Sequence, residues 1–107
     1  MPIFEISTDK RGEFRFNLKA VNGQTILASE SYKTRPSSLN GIESVRKNSQ
    51  DDSKFDRLKS KSGQSYFNLK ATNSQIIGTS EMYTVESGME SGIASVKKNA
   101  PEAEVVG

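Results

Sequence analysis

The residues most suggestive of chemistry come as a pair. Ser29-Glu30 is followed two residues after the Glu by Tyr32, and Ser80-Glu81 is followed in the same way by Tyr83. A serine beside a carboxylate is raw material for a hydrolytic site. A nucleophilic serine, however, needs a general base and an oxyanion hole, and the chain has no His to act as that base, which leaves only a Lys. The architectural reading is stronger. Ser and Glu end a strand, the Glu bonds backbone amides or pairs with Arg15, and the Tyr packs its ring while its hydroxyl stays hydrated.

A second group is Arg15, Asn17 and Lys19 with Asn68 and Lys70. These alternate with Phe16, Leu18, Phe67 and Leu69, so they fall on the polar face of two strands. Such a face can contact phosphates and bases when a sheet lies against nucleic acid. The net charge of +2 is small for an electrostatic binder, and only Tyr66 is on this face to stack on a base. An ordinary solvated face is the plainer account. Lys47-Asn48 and Lys97-Lys98-Asn99 close two helical segments, where cations complement the helix dipole. Asp51-Asp52 supplies far fewer oxygens than a calcium cage requires.

Without Cys or His there is no disulfide frame, thiolate nucleophile or ordinary zinc site. No GxxxxGK[ST], GxGxxG or HExxH pattern is present either, so neither a metal nor a cofactor is expected. MPIFEISTDK does not read as a leader, and no apolar run approaches the roughly 20 residues that span a bilayer. A cytoplasmic protein that does not engage membranes is therefore expected. Only 33% of its 107 residues are hydrophobic, so any core must be economical and well patterned.

The elements that position these residues are set by an internal repeat. At an offset of 51 residues, FNLKAVNGQTILASESY (Phe16 to Tyr32) lies over FNLKATNSQIIGTSEMY (Phe67 to Tyr83), and GIESVRKN over GIASVKKN without a gap. Each unit is about 45 to 50 residues. The polar segment Ser49 to Ser53 connects them. Residues 1–50 carry eight Lys/Arg against five Asp/Glu, and residues 51–107 seven against eight, so an anionic partner would favour the first unit.

Period-two alternation over Glu13 to Val21 and its counterpart predicts strands with one buried face. Asn22-Gly23 predicts a two-residue type I′ hairpin turn, pairing Ala20 with Thr25, Leu18 with Leu27, Phe16 with Ser29 and Arg15 with Glu30. Asn73-Ser74 predicts a looser turn, since Ser is less comfortable at positive φ. Ile3 to Ser7 and Lys54 to Leu58 predict a leading strand in each unit, and Val105-Val106 can extend a sheet edge. Leu39, Ile42, Val45 and Arg46, like Val85, Met89, Ile93 and Val96, recur at helical spacing, with Pro36 at the first helical position and Thr34 or Ser37 as the cap. Gly41 and Gly92 sit inside these helices, where Gly costs about 1 kcal/mol relative to Ala, so the helix backbone must come close to the sheet or to the other unit.

The repeated motif FNLKA…SESY/SEMY with GIxSVxKN resembles the YegP-like family of small bacterial proteins, over nearly the whole chain. The resemblance implies a tandem β-β-β-α repeat and assigns no activity. The departure from its pattern is Ser74, where the motif has Gly. The expected fold is α+β: two β-β-β-α repeats, 1–50 and 51–107, packed about a pseudo-two-fold axis as one mutually dependent domain with antiparallel sheet. The expected function is a non-enzymatic binding or assembly module with an unidentified protein partner. The second reading is nucleic-acid binding through Arg15, Asn17, Lys19, Asn68 and Lys70.

Overall fold

A three-stranded sheet with one helix has too little apolar surface to exclude water from both of its faces, so two such units gain by sharing one core. The computed structural model, which describes residues 1–107, shows this arrangement. The first repeat is β1 (Ile3–Thr8), β2 (Phe14–Lys19), β3 (Thr25–Ala28) and α1 (Arg35–Asn48). After a 3-10 turn at Asp52–Lys54, the second is β4 (Phe55–Lys59), β5 (Ser65–Lys70), β6 (Ile76–Thr79) and α2 (Glu86–Asn99), followed by β7 (Glu104–Val106).

All strands join one seven-stranded sheet in the order β4-β5-β6-β3-β2-β1-β7. It is antiparallel except for β7, which runs parallel to β1 at the edge. At the centre Ala28 pairs with Thr79. These residues are equivalent in the two repeats, so the pseudo-two-fold axis passes between them. Both helices cover one face and cross the seam: α1 packs on its own β2 and on β5 and β6, while α2 packs on its own β5 and on β3. One cluster results, with Phe4, Phe16, Leu18, Leu27, Ile42 and Val45 of the first repeat continuous with Phe67, Leu69, Ile93 and Val96 of the second.

The hairpins differ from the expected turn. Gly23 N–H donates to Ala20 O and Ala20 N–H to Gln24 O, both at 2.9 Å, and only Gly23 has positive φ (83°). This is a three-residue loop whose last residue is left-handed, and it places Lys19 rather than Ala20 opposite Thr25, with a bulge after Leu18. Leu18 still faces Leu27. The second repeat does not loosen: Ser74 takes the same conformation at φ 69° and makes the same two bonds. Nor does Arg15 pair with Glu30. The ladder gains a residue on the Glu30 side and resumes at Phe14 and Tyr32.

The helices begin differently. Thr34 caps α1, its Oγ1 accepting from Ser37 N–H at 3.2 Å. Val85 holds the same place and backbone conformation before α2 but has no side chain able to cap, and it is 57% exposed rather than part of the apolar stripe.

The axis also explains a difference between the copies. Leu27 is fully buried, and its equivalent is Gly78. A Cβ on Gly78 would lie 2.6 Å from Leu27 Cγ, so two leucines cannot both occupy the axis. Gly78→Leu is expected to destabilise the chain by about 1–3 kcal/mol or more through overpacking, and Leu27→Ala by about 2–5 kcal/mol through a cavity. The exchanged variant Leu27→Gly with Gly78→Leu should recover much of the loss in denaturant melts. An exchange no better than Gly78→Leu alone would show that the two positions do not share one space.

Candidate functional site

The two Ser-Glu pairs are placed at the ends of β3 and β6, and their serines are committed to the backbone. Ser29 Oγ accepts from Phe16 N–H at 2.9 Å and donates to Glu30 O at 2.8 Å, while Ser80 Oγ repeats both bonds with Phe67 N–H and Glu81 O. Each hydroxyl replaces a main-chain carbonyl where the ladder bulges. With its proton given to a carbonyl and its lone pair to an amide in a buried site, it is poorly placed to attack a substrate.

Tyr32 stacks on Phe16, with ring centroids 6.1 Å apart, and sits under α1. A Cβ at Gly41 would meet Tyr32 Cζ at 2.7 Å and Phe16 Cε2 at 3.1 Å, and one at Gly92 would meet Tyr83 Cζ at 2.8 Å. This is the close approach that the helical glycines implied, and the partner is the tyrosine ring. Burial, with a smaller effect from the neighbouring Glu30 or Glu81, pushes both phenols above their ordinary pKa and keeps them protonated at neutral pH.

The polar sheet face is one continuous surface. Asp56, Asn68, Thr79, Ala28, Asn17 and Glu5 form a single row across it. Asn17 and Asn68 thus share a row, three strands apart. The cations are compensated by acids on adjacent strands: Lys19 Nζ lies 2.7 Å from Glu5 Oε1, and Lys70 Nζ 2.7 Å from Asp56 Oδ2. Asn68 Oδ1 accepts from Thr79 Oγ1 at 2.9 Å. Arg15 is exposed.

The sheet edges are guarded in two ways. Beside β1, β7 pairs with Ile3, Phe4 and Glu5, and Arg46 Nη2 of α1 donates to Ala103 O at 2.6 Å. Beside β4 no strand covers the edge, and Arg57 stands where the first repeat has Ile6. It bonds Glu90 of α2 at 2.6 Å and Asp52 at 3.1 Å, and Lys97 Nζ completes the cluster 2.6 Å from Asp52. Charged edge residues oppose pairing with another strand.

Two equivalent clefts open at the junction of the repeats, besides a depression of about 490 Å³ between Glu30, Tyr32 and the segment Ser74 to Ile77. One, of about 520 Å³, lies between the β2–β3 turn (Ala20, Val21, Asn22) and α2 (Ser91, Ala94, Ser95, Lys98, Asn99). The other, of about 470 Å³, lies between the β5–β6 turn (Ala71, Thr72, Asn73) and α1 (Asn40, Glu43, Ser44, Lys47, Asn48). Each lining residue of one has its 51-residue equivalent in the other. Local sequence does not reveal them, because each is built from both repeats. The available signal was the recurrence of Ser-Val-x-Lys-Asn (44–48, 95–99) and of Ala-x-Asn (20–22, 71–73).

These features define a tandem-repeat α+β protein whose copies meet across a pseudo-two-fold axis. The family described as "Domain of unknown function (DUF1508)" matches at residues 9–56 and again at 60–106, and the chain belongs to it. The chain is 55% identical over 103 residues to the "UPF0339 protein in ptx operon 5'region" of Stutzerimonas stutzeri, covering 96% of this chain and 93% of that protein. It is 50% identical over 96 residues to the "UPF0339 protein YegP" of Escherichia coli strain K12, covering 90% and 87%. The solution NMR structure of yegP from E. coli, described as a protein of unknown function, superposes with a TM-score of 0.93 at 47% identity, covering 98% of this chain and 90% of that one. That of a UPF0339 protein from Shewanella oneidensis also gives 0.93, at 41% identity with 98% and 89% coverage. The resemblance to the YegP-like family is thereby established. By its own description the family assigns no activity.

Two outcomes are expected. Ser29→Ala or Ser80→Ala leaves a buried amide without its acceptor and should cost about 1–3 kcal/mol in denaturant melts; unchanged stability in both would show that the hydroxyls are not needed there. Bonds from Lys97 and then Arg57 hold Asp52 below its ordinary pKa, and Arg57 does the same for Glu90. The resulting stability is present above the ordinary carboxylate range and is lost as pH falls through the lowered values. Thermal melts from neutral to strongly acid pH should therefore show a shallower acid-side fall in Arg57→Gln than in the unaltered chain. Superimposable acid limbs would exclude the cluster as a cause.

Proposed function

We propose that this chain is a non-enzymatic, cytoplasmic binding or assembly module whose mutually dependent repeats, residues 1–50 and 51–107, hold ligand-binding clefts at their junction. The observation that carries this reading is the pair of equivalent clefts, each formed by the turn of one repeat and the helix of the other. Other surfaces are less suited. One sheet edge is covered by β7, the other bears four interacting charges, and the lysines of the polar face are neutralised by neighbouring carboxylates. A chain without Cys has no need of an oxidising compartment. The hydroxyls of Ser29 and Ser80 are engaged with the backbone, which argues against their use as nucleophiles.

The second reading is nucleic-acid binding through Arg15, Asn17, Lys19, Asn68 and Lys70. It is favoured by the single row that Asn17 and Asn68 share and by the exposure of Arg15. Photo-crosslinking in cells decides between the two, with the reactive side chain placed at position 21 or 72 in the clefts, or at position 15 on the sheet. Adducts from 21 and 72 and none from 15 are the expected result. Nuclease-sensitive adducts from 15 alone would overturn the cleft reading and favour the sheet face.

A further inference from the structure

The floor of each cleft holds a hydrogen-bond acceptor that the chain itself does not use. Asn99 is 8% exposed and Asn48 6%. Nδ2 of Asn99 donates to Ser95 O at 2.9 Å and Ser95 Oγ at 3.0 Å, and Nδ2 of Asn48 donates to Ser44 O at 2.9 Å and Ser44 Oγ at 3.1 Å. Both protons of each amide group are thus committed to the preceding turn, which fixes the side chain, while Oδ1 accepts no hydrogen bond from the chain. Each Oδ1 is open to solvent at the cleft, so an occupant that displaces its water must supply a donor in its place.

The rim has the opposite character. Asn22 Oδ1 is taken by Gln24 N–H at 3.0 Å, which leaves its Nδ2 donors free. Lys98, exposed and without an ion pair, and the Ser91 hydroxyl add further donors. In the second cleft Asn73 Oδ1 is likewise taken by Gln75 N–H at 3.1 Å, its Nδ2 gives one proton to Gln75 Oε1 at 3.3 Å and keeps one free, and Lys47 stands where Lys98 does in the first. Ala20 and Ser95, with Ala71 and Ser44 opposite, keep the walls short, so a thin chain fits where a bulky ring would not. The occupant must donate a hydrogen bond to the floor and offer acceptors to the rim.

Resting on the cleft reading above, we infer that the ligand is an extended peptide main chain. One of its N–H groups donates to Asn99 or Asn48 Oδ1, and its neighbouring carbonyls accept from Asn22 or Asn73 Nδ2 and from the lysine. A carboxylate alone would satisfy the rim and leave the floor unpaired.

The test is an NMR titration of the 15N-labelled full chain with acetyl-tetraalanine amide, in parallel with acetate and with glucose. The peptide should move the side-chain amide signals of Asn48 and Asn99 and the backbone signals of residues 20–22 and 71–73 saturably, and the other two probes should not. Asn99→Ala should weaken binding in the α2 cleft by about tenfold or more while the α1 cleft responds as before, which serves as an internal control for folding. Movement with acetate or glucose but not with peptide would leave the clefts as the binding site and overturn the peptide class. No movement with peptide up to about 10 mM overturns the inference by itself, and the crosslinking pattern then judges the clefts independently.

Discussion

The structure depends on a limit of space at one point. Where β3 meets β6, equivalent residues of the two repeats face each other, and there is room for one large side chain beneath the helices. Leu27 fills it and Gly78 yields it. Main-chain pairing at this seam is slight, since both strands are only four residues long. The junction therefore relies on side-chain packing and on the helices, each of which lies across strands of the other repeat. Burial of apolar area of this kind is the dominant favourable term in folding, and here much of it exists only when both copies are present.

Once the copies share a core, their remaining differences follow from what covers each edge. In the first repeat β7 pairs along the outer strand as far as Glu5, Ile6 next to it is buried and apolar, and Arg46 reaches the backbone at Ala103. In the second no strand arrives, and the equivalents of Ile6, Leu39 and Ala103 are Arg57, Glu90 and Asp52, which bond one another or Lys97 at the surface. The cation above the outer phenylalanine persists in both: Arg46 lies 5.4 Å from the Phe4 ring centre and Lys97 5.7 Å from that of Phe55. One backbone plan thus tolerates an apolar or an ionic outer layer according to water access.

Much of this was legible in the sequence because it is local or periodic. The duplication, the alternation around Phe16 and Phe67, the helical spacing of Ile42 and Val45, and the need for Gly41 and Gly92 could all be read from spacing alone. Asn-Gly, in contrast, is compatible with more than one hairpin loop, and strand twist and the bulge after Leu18 selected the longer one. Ser74 holds a left-handed conformation because the hairpin around it is fixed by its flanking strands; propensity gave way to context. Val85 fitted the helical period yet lies outside the helix as an exposed residue, because a period does not reveal where a helix begins. The clefts were hidden for a different reason: their walls come from different repeats, about seventy residues apart in one cleft and about thirty in the other, joined only by the packing of one repeat on the other.

The Leu27 and Gly78 pair also bears on how such a gene can change. Recombination between the repeated segments can produce a chain carrying two first copies or two second copies. The former would bring two leucines to the axis, and the latter would leave a void there. Divergence at one residue pair thus makes each half the complement of the other rather than its copy, so a chain of two identical halves does not fill the axis whichever half is doubled.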